Sequence, residues 1–582
     1  MEKINSPIVK KIKYDKKEID KIDSSFSNLK DNNYILSYPT VYIVDDKNKH
    51  QDQYSVYVGE TTDIKRRSLE HLKEDSDPNN FWQKTENSPT SEMYIIGHDH
   101  FNKSLTLDIE NKLIHYMSSV NNVTLDNGRT NPQSDYYTED ELDAIFSKIW
   151  NKLREDNKEL FPLERVIRDS AIFKSSPFHK LTSEQLNAKD EIMMKIEEAI
   201  NRNKEKQLIL INGSAGTGKT VLLSSIFFEL ENESKHDDNK ILEGSTNYLL
   251  VNHDQQLKVY EKIAEKLGLN KDKSVVSKPT SFINHHSPDN KVDVVLIDEA
   301  HLLWTQGKQS YQGENQLQDI IDRAKVVVAV YDENQILSRE QYMDSEDMLR
   351  LVLEASLEGN YIKLHNQMRI NANKQTVQWI RGLIDKKTVF NIPEDDKYDL
   401  KIFKDPQSMY KAIKEKSANL DNGISRLLAT FDWKFIKGKH PDDEQYWNVK
   451  VGDFSLPWNL QLPKPRNKKV NYKDLSWAEQ DHTIDEVGST FTIQGFDLNY
   501  AAVIIGPSVK LRDGKLFFDK SASFNSKVTQ RRTYKNQKID VSTDLLKNEL
   551  NVLLTRGVNG LYIYAVDEEL QKELLKAQKG DI

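Results

Sequence analysis

Nearly continuous apolar runs recur after Leu181, and amphipathic segments separate them. Such runs are typical of strands that are buried on both faces of a parallel sheet. They fall into two sets, and two α/β lobes in series are the simplest interpretation. The first set comprises Gln207–Asn212, Asn247–Asn252, Asp293–Ile297 and Ala324–Tyr331, and the second comprises Tyr361–Leu364, Ser425–Phe431, Ala501–Ile505 and Leu561–Val566.

The N-terminal part has a different pattern, rich in β-branched and aromatic residues. Val41–Val44 and Tyr54–Val58 are predicted strands, and the polar turn Asp45–Asp52 separates them. A basic helix is predicted over Asp63–Lys73, and apolar residues at helical spacing predict a second helix over Leu105–Val120. This order of elements predicts a small α+β domain.

The chain has 582 residues, which is too long for one hydrophobic core, so three or four compact units are expected. The polar, Lys-rich start is expected to be a poorly ordered arm or a loose helix. A stretch rich in Trp, Pro and Lys, 431–475, is expected to be an irregular insertion. The predicted order is an arm at 1–37, the α+β domain at 38–135, a helical connector at 136–180, and two lobes at 181–345 and 346–582.

Composition narrows the class of protein. The absence of cysteine excludes disulfides, zinc–thiolate sites and Cys nucleophiles, and it favours a reducing cytoplasm. No apolar run approaches the roughly 20 residues that cross a bilayer, and the N-terminus has no apolar signal segment, so no membrane contact is expected. The net charge of -9 gives no general nucleic-acid signal, so nucleic-acid binding would need a local groove of Lys and Arg.

A glycine-rich loop joins the apolar strand Leu208–Ile211 to a helix predicted over Val221–Leu230. Its spacing matches the Walker A pattern, in which backbone N–H groups wrap phosphates. Lys219 would then reach the β and γ phosphate oxygens of ATP, and the Thr220 hydroxyl would bind Mg²⁺. The loop residues are Gly213, Ser214, Ala215, Gly216, Thr217, Gly218, Lys219 and Thr220.

A second acidic motif follows the apolar strand at 294–297. The strand would deliver Asp298 to the Mg²⁺ ion at its carboxyl end, and Glu299 would orient and deprotonate the attacking water. An acidic strand end that caps a helix would account for Asp298 but not for the full series. The two motifs together predict ATP hydrolysis.

Further polar segments follow in a fixed order along the chain. They resemble the motifs of superfamily-one helicases, and the resemblance is closest to the helicase-like ATPase domain of Schlafen-type proteins, over residues 181–582. It implies two RecA-like lobes. The segments are Leu181–Gln185, Val326–Gln335, Leu364–Arg369, Gly423–Trp433, Leu456–Asn459, Gly488–Asp497 and Asn551–Gly557.

The resemblance implies roles for individual side chains. Arg369 and Arg556 would stabilise charge on the γ-phosphate when the lobes close. Gln185 would read adenine, and the nucleotide would also be contacted by Gln335, Gln367 and Gln494. The gaps 252–298 and 335–367 are short where processive helicases carry extra subdomains, so a compact translocase and a strand-separating helicase both stay open.

Residues 38–130 contain another ordered set of residues. Thr40, Val41 and Tyr42 form a first run, and 57–59, Tyr-Val-Gly, form a second. They are followed by Arg67, His71, Glu110 and Asn127. In this order the set resembles the GIY-YIG nuclease family, in which the first run is usually Gly-Ile-Tyr. The first glycine is replaced by Thr40, which changes turn freedom but no catalytic group.

The chemistry of phosphodiester cleavage needs these residue types. Arg67 could bind the scissile phosphate and stabilise the transition state, and Glu110 could supply an oxygen ligand to Mg²⁺ or Mn²⁺. Tyr42, Tyr57 or His71 could position or deprotonate the water. Asn127 would orient the site. Strand aromatics and a solvated basic helix face are the alternatives for single residues.

Taken together, the motifs predict an α/β protein in which a metal-dependent nuclease is fused to an ATP-driven translocase or helicase. The expected partner is nucleic acid, DNA in preference to RNA, and a second copy of the chain or a defence-system protein could join it. Defence against phage and DNA repair are the expected roles, by analogy of architecture only. A nucleic-acid-binding ATPase switch with a catalytically inactive N-terminal domain is the alternative.

Overall fold

The computed structural model describes most of the chain in two compact units. One unit comprises residues 1–180 and 259–274, and the other comprises 181–258 and 275–582. The residues described are 4–22, 29–48, 53–72, 80–86, 88–127, 136–235, 239–269, 274–308, 310–419, 423–465, 472, 475–534 and 537–582.

The first unit contains a five-stranded sheet with the strand order β1-β4-β2-β3-β5. The β3–β5 pair is parallel, whereas β1–β4, β2–β3 and β2–β4 are antiparallel. Val41, Ile43 and Val44 of β2 are fully buried, and so is the polar Asp45 at 1% exposure. The strands are β1 (Ile8–Lys13), β2 (Thr40–Asn48), β3 (Gln53–Thr61), β4 (Ser91–Gly97) and β5 (Val123–Leu125).

Several helices of this unit begin at a side-chain cap. The Asp63 carboxylate accepts the N–H of Arg66 at the start of α3, and Asn102 accepts that of Leu105 at the start of α5. The helices are α1 (Lys16–Asp20), α2 (Leu29–Leu36), α3 (Ile64–His71), α4 (Phe81–Glu86), α5 (Lys103–Ser119), α6 (Leu142–Asp156), α7 (Glu164–Asp169) and α8 (Ala171–Lys174).

Two expectations for this unit are wrong. The predicted loose arm contributes strand β1, which pairs antiparallel with β4, because Ile8, Val9 and Ile12 supply enough apolar surface to join the sheet. The predicted turn at 45–52 is shorter, since β2 continues to Asn48 and β3 begins at Gln53. Residues 49–52 lie outside the described residues. The strands and helices expected around them are confirmed.

The second unit contains a six-stranded parallel sheet with the order β11-β6-β10-β9-β7-β8. Its strands are β6 (Gln207–Gly213), β7 (Asn247–Val251), β8 (Val276–Ser277), β9 (Val292–Asp298), β10 (Ala324–Tyr331) and β11 (Tyr361–Leu364). Its helices are α9 (Ser183–Asn201), α10 (Lys219–Glu233), α11 (Asp254–Lys266), α12 (Pro279–His285), α13 (Gln316–Ile321) and α14 (Ser345–Leu357). Helix α11 belongs to this unit up to Lys258 and to the first unit from Val259.

The position of β11 corrects the expected division of the strands. Tyr361–Leu364 pairs parallel with β6 and therefore belongs to the first parallel sheet rather than to the second set. The boundary expected at 345/346 therefore falls before the last strand of that sheet. A four-residue apolar run does not encode which sheet it joins, because the pairing partner is distant in sequence.

A second parallel sheet of five strands has the order β12-β22-β17-β13-β16. The remaining strands form three antiparallel hairpins. The strands are β12 (Asp399–Ile402), β13 (Ser425–Ala429), β14 (Asn448–Val451), β15 (Phe454–Pro457), β16 (Val487–Gly488), β17 (Leu498–Ile505), β18 (Val509–Arg512), β19 (Lys515–Phe518), β20 (Arg532–Tyr534), β21 (Gln537–Ile539) and β22 (Gly557–Ala565).

The helices around this sheet bury apolar faces against it, and Leu550, Leu553 and Leu554 of the helix Ser542–Leu554 are fully buried. The insertion expected to be irregular contains the hairpin β14–β15, and Val449 and Phe454 pack it onto the core. The helices are α15 (Lys374–Asp385), α16 (Pro406–Ala418), α17 (Thr490–Ile493), α18 (Ser526–Thr529), α19 (Ser542–Leu554) and α20 (Glu568–Lys579).

Candidate functional site

The loop between β6 and α10 has the backbone that a phosphate-wrapping turn requires. Gly216 and Gly218 have φ values of 88° and 73°, a region that side chains rarely adopt. A Cβ on Gly216 would lie 2.5 Å from Cβ of Arg369, and one on Gly218 would lie 2.1 Å from Nε2 of Gln185. Glycine is therefore required at both positions by backbone conformation and by space.

Lys219 begins helix α10, and Thr220 follows it, half-buried. The buried ammonium of Lys219 donates to the carbonyl oxygens of Gly213 and Ser214, at 2.6 and 2.9 Å. It also lies 3.6 Å from Oδ2 of Asp332. Burial acts to raise the pKa of Asp332, but Lys219 and other neighbours hold it below its usual value. The site therefore pairs a buried ammonium with acceptors that phosphate oxygens could replace.

Strand β9 carries the two acidic residues to the same edge of the sheet. Asp298 is almost completely buried and accepts the side-chain N–H of Gln256 at 2.6 Å and the backbone N–H of Glu299 at 2.9 Å. Glu299 has a left-handed backbone, with φ 51°, which is unusual for a residue with a side chain. Strain of this kind persists only where the surrounding structure enforces it.

Arg556 lies between α19 and β22, and only 1% of it is exposed. Its guanidinium donates to Oε1 of Gln335 at 3.0 Å and to the carbonyl oxygen of Val552 at 2.9 Å. Burial and the neighbouring Arg369 lower the pKa of Arg556 to about 10, so the group is cationic at neutral pH. Gln494 donates from Nε2 to the carbonyl oxygen of Gln335 at 3.3 Å.

The other predicted nucleotide residues lie around the same loop. Nε of Arg369 is 2.5 Å from Oδ1 of Asp497. Gln185 caps helix α9 and donates from Nε2 to the carbonyl oxygens of Thr217 and Gly218, at 3.2 and 3.4 Å. Gln367 instead accepts the backbone N–H of Ile370, at 3.2 Å.

Four residues to which the sequence gave no individual role complete this cluster. Gln256 holds Asp298, and Asn548 and Asn551 of α19 donate to backbone carbonyls of the loop after β10, at 2.9 to 3.1 Å. Asp332, which the sequence placed only in a strand-end loop, accepts Nε2 of Gln335 at 2.7 Å. Gln256 is an uncharged residue in the first turn of α11. No local sequence motif marks it as a site residue, so only the fold identifies it.

The first unit gathers a separate polar cluster at β2, β3, α3 and α5. The hydroxyl of Tyr42 is 2.9 Å from Nε2 of His71, and Tyr57 contacts both rings. Burial, with a contribution from Arg67, lowers the pKa of His71 to about 4, so the ring is neutral at pH 7 and can accept the Tyr42 proton.

Arg67 and Glu110 lie close to the two tyrosines. Burial raises the pKa of Tyr42 and Tyr57, and Arg67 opposes that effect by charge and hydrogen bonding. Burial and the neighbouring Glu60 raise the pKa of Glu110 to about 8. Asn127 is bonded twice to the backbone of Val58, with Oδ1 accepting at 3.1 Å and Nδ2 donating at 2.5 Å.

Trp82 and Glu60 belong to this cluster although the sequence did not single them out. The Trp82 ring stacks on His71 with 3.8 Å between centroids and an angle of 15°, and it contacts Tyr57 at 4.5 Å. An aromatic pair in a short helix could have suggested Trp82. Glu60 follows Gly59 directly, but its chemistry depends on a helix 50 residues away in the chain.

Two features are absent from the described ranges of the chain. No group of three or more His, Cys, Asp or Glu side chains is gathered there in a way that could hold a metal ion. No helix in those ranges is long and apolar enough to cross a membrane.

Comparison with known proteins points to the second unit. Residues 206–567 match the family model described as Schlafen group 3, DNA/RNA helicase domain. An uncharacterized protein of Saccharomyces cerevisiae is 36% identical over 412 residues, which are 65% of this chain and 85% of the relative. The matched range contains the phosphate loop, the acidic strand end and Arg556.

Proposed function

Since the chain belongs to the Schlafen group 3 DNA/RNA helicase-domain family, we propose that residues 181–582 are an ATP-hydrolysing motor built from two RecA-like lobes. A continuous polar chain carries this proposal. It runs from Lys219 to Asp332, from Asp332 to Gln335, and from Gln335 to Arg556. Phosphoryl transfer needs positive charge from more than one element around the γ-phosphate, and this chain links such elements.

ATP is the expected nucleotide, with Lys219 and the loop N–H groups on its phosphates. Asp298 and Thr220 are oxygen donors of the kind that Mg²⁺ requires, and the buried Asp298 is already oriented by Gln256. The metal would supply charge neutralisation at the phosphates. Glu299 would accept the proton of the attacking water, and Arg556 would stabilise the transition-state charge.

The motor is tested by ATPase assays with single-stranded DNA, duplex DNA and RNA. Wild-type hydrolysis should rise when nucleic acid is added, with DNA favoured over RNA, and Lys219→Ala should abolish it. Arg202→Ala, at the exposed end of α9, is the control. Hydrolysis that does not respond to any nucleic acid would favour the rival function, an ATP-controlled switch that acts on a partner.

We also propose that the first unit is a GIY-YIG-like nuclease that cleaves phosphodiesters with Mg²⁺ or Mn²⁺. The hydrogen-bond pair of Tyr42 and neutral His71, beside Arg67 and Glu110, supports it. Tyr42, held by its hydrogen bond to His71, can position the attacking water, Arg67 can hold the phosphate, and Glu110 can hold the cation. A motor joined to a nuclease suits defence against foreign DNA or DNA repair.

Plasmid nicking with and without Mn²⁺ tests the nuclease. Arg67→Ala and Glu110→Ala should each abolish cleavage, while Lys219→Ala should retain it if ATP is not required for the cut. Cleavage that persists in Arg67→Ala would falsify this assignment. A wild-type protein that binds DNA but never cuts would identify the first unit as a binding module.

A further inference from the structure

We propose that Glu60 is a second carboxylate ligand of the divalent cation that Glu110 holds. When the metal is absent, the ammonium group of Lys103 takes the place of the cation. The inference rests on the proposed nuclease function and adds a ligand that the sequence resemblance does not supply. The resemblance places a single carboxylate, Glu110, at this position.

The backbone places the two carboxylates side by side. Glu60 lies on β3 directly after Gly59, and its backbone N–H donates to the carboxylate of Glu110 on α5. A hydrogen bond of this kind fixes the start of the Glu60 side chain next to the Glu110 carboxylate. The same β3 segment carries Tyr57, so the pair belongs to the cluster of Tyr42, Tyr57 and Arg67.

One oxygen of Glu60 is buried without a hydrogen-bond donor. The side chain is only 10% exposed, and its Oε2 has no partner among the described residues. Buried carboxylate oxygens are almost always paired, because an unpaired one loses hydration without compensation. An oxygen in this condition, on a residue whose charge acts on the half-buried Glu110, is suited to bind a cation.

Lys103 balances the charge of Glu60 in this structure. Its ammonium is bonded to Oε1 of Glu60, and its charge also acts on Glu110. The Lys103 side chain is 56% exposed, so it can move into solvent at little cost. A divalent cation carries twice the charge and prefers carboxylate oxygens, so it would displace the ammonium and bridge both carboxylates.

The test is a titration of the full chain with Mn²⁺ in the absence of nucleotide. The electron paramagnetic resonance signal of free Mn²⁺ measures how much of the metal is bound. All variants carry Asp298→Asn, so that the other predicted metal site contributes nothing. Glu60→Gln should weaken Mn²⁺ binding by about 10-fold or more, and Glu110→Gln should abolish it. Lys103→Met should strengthen binding, because it removes the competing ammonium. The matched control is Glu92→Gln, a strand glutamate paired with Lys11 in the same sheet.

The outcomes separate this inference from the proposed function. Mn²⁺ affinity that is unchanged in Glu60→Gln but lost in Glu110→Gln overturns the second ligand and leaves the nuclease proposal standing. A Lys103→Met variant that binds Mn²⁺ more weakly overturns the displacement step. A wild-type protein that shows no metal-dependent nicking overturns the nuclease proposal itself. Circular dichroism melting of Glu60→Gln, which keeps the side-chain shape, shows whether an affinity loss reflects unfolding.

Discussion

Nη2 of Arg556 donates a hydrogen bond to Oε1 of Gln335 across 3.0 Å, and both side chains are buried. Gln335 follows strand β10 of the first parallel sheet, whereas Arg556 precedes strand β22 of the second. The bond therefore ties the two parallel sheets of this unit to one another. Gln335 also donates to Asp332, which lies beside Lys219. A movement of Lys219 can therefore be transmitted to Arg556 through these two residues.

Removal of the Arg556 charge should reduce the rate of ATP hydrolysis. We expect Arg556→Ala to lower kcat by about 10³-fold, because an arginine that stabilises the transition state contributes at least this much. Arg350→Ala, at an exposed position of α14, should leave kcat unchanged. Steady-state ATPase kinetics measure both, and a kcat within a few-fold of wild type in a folded Arg556→Ala protein contradicts the assigned role.

Gln256 should act by positioning Asp298. Gln256→Ala removes the 2.6 Å bond to Oδ2, so we expect the Mg²⁺ concentration needed for half-maximal ATPase to rise about 10-fold or more. Gln255→Ala changes the adjacent, half-buried glutamine and is the matched control. Mg²⁺ titrations at saturating ATP measure the shift. A Gln256→Ala titration curve that superimposes on the wild-type curve contradicts the positioning role of Gln256.

Gly216 should not tolerate a side chain. In Gly216→Ala the new Cβ would lie 2.5 Å from Cβ of Arg369 at a φ of 88°, so we expect a loss of about 1–3 kcal/mol in the free energy of unfolding and weak ATP binding. Gly244→Ala separates strain from contact, because its φ is 69° but no atom lies within 4 Å of the added Cβ. Denaturant unfolding and nucleotide titration should show the larger loss at Gly216.

His71 should make the first unit less stable in acid. Its pKa is about 4 in the folded protein and 6.5 in the unfolded chain, so the unfolded chain binds more protons between these values. The free energy of unfolding should therefore fall as the pH is lowered from 6.5 to 4, by roughly 2–3 kcal/mol from this residue. Denaturant unfolding at several pH values measures it. His71→Gln should flatten the dependence, whereas the exposed His440→Gln should not.

Local signals were sufficient for the long apolar strands, the loop Gly213–Thr220 and the acidic strand end. The Gly213–Thr220 loop lies between β6 and α10 as expected, and Asp298 ends β9. These features depend on residues close in sequence, namely apolar runs, glycine positions and spacing. The family match over residues 206–567 confirms the helicase-like domain that they indicated.

The sequence close to a strand did not predict which sheet the strand joins. β1 lies in a segment expected to be a loose arm, and β11 joins the first parallel sheet rather than the second. Both are short strands whose partners are far away in the chain. Their apolar content is weak, and hydrogen bonding to a distant strand decides where they lie.

By itself, the sequence determined that the chain has parallel α/β sheets, a phosphate loop and a helicase-like domain, because each depends on the type and spacing of nearby residues. Only the tertiary structure decided that Gln256 holds Asp298, that Trp82 stacks on His71 and that Glu60 adjoins Glu110. Such contacts join elements far apart in sequence, and a buried polar group finds its partner only when packing brings the two together.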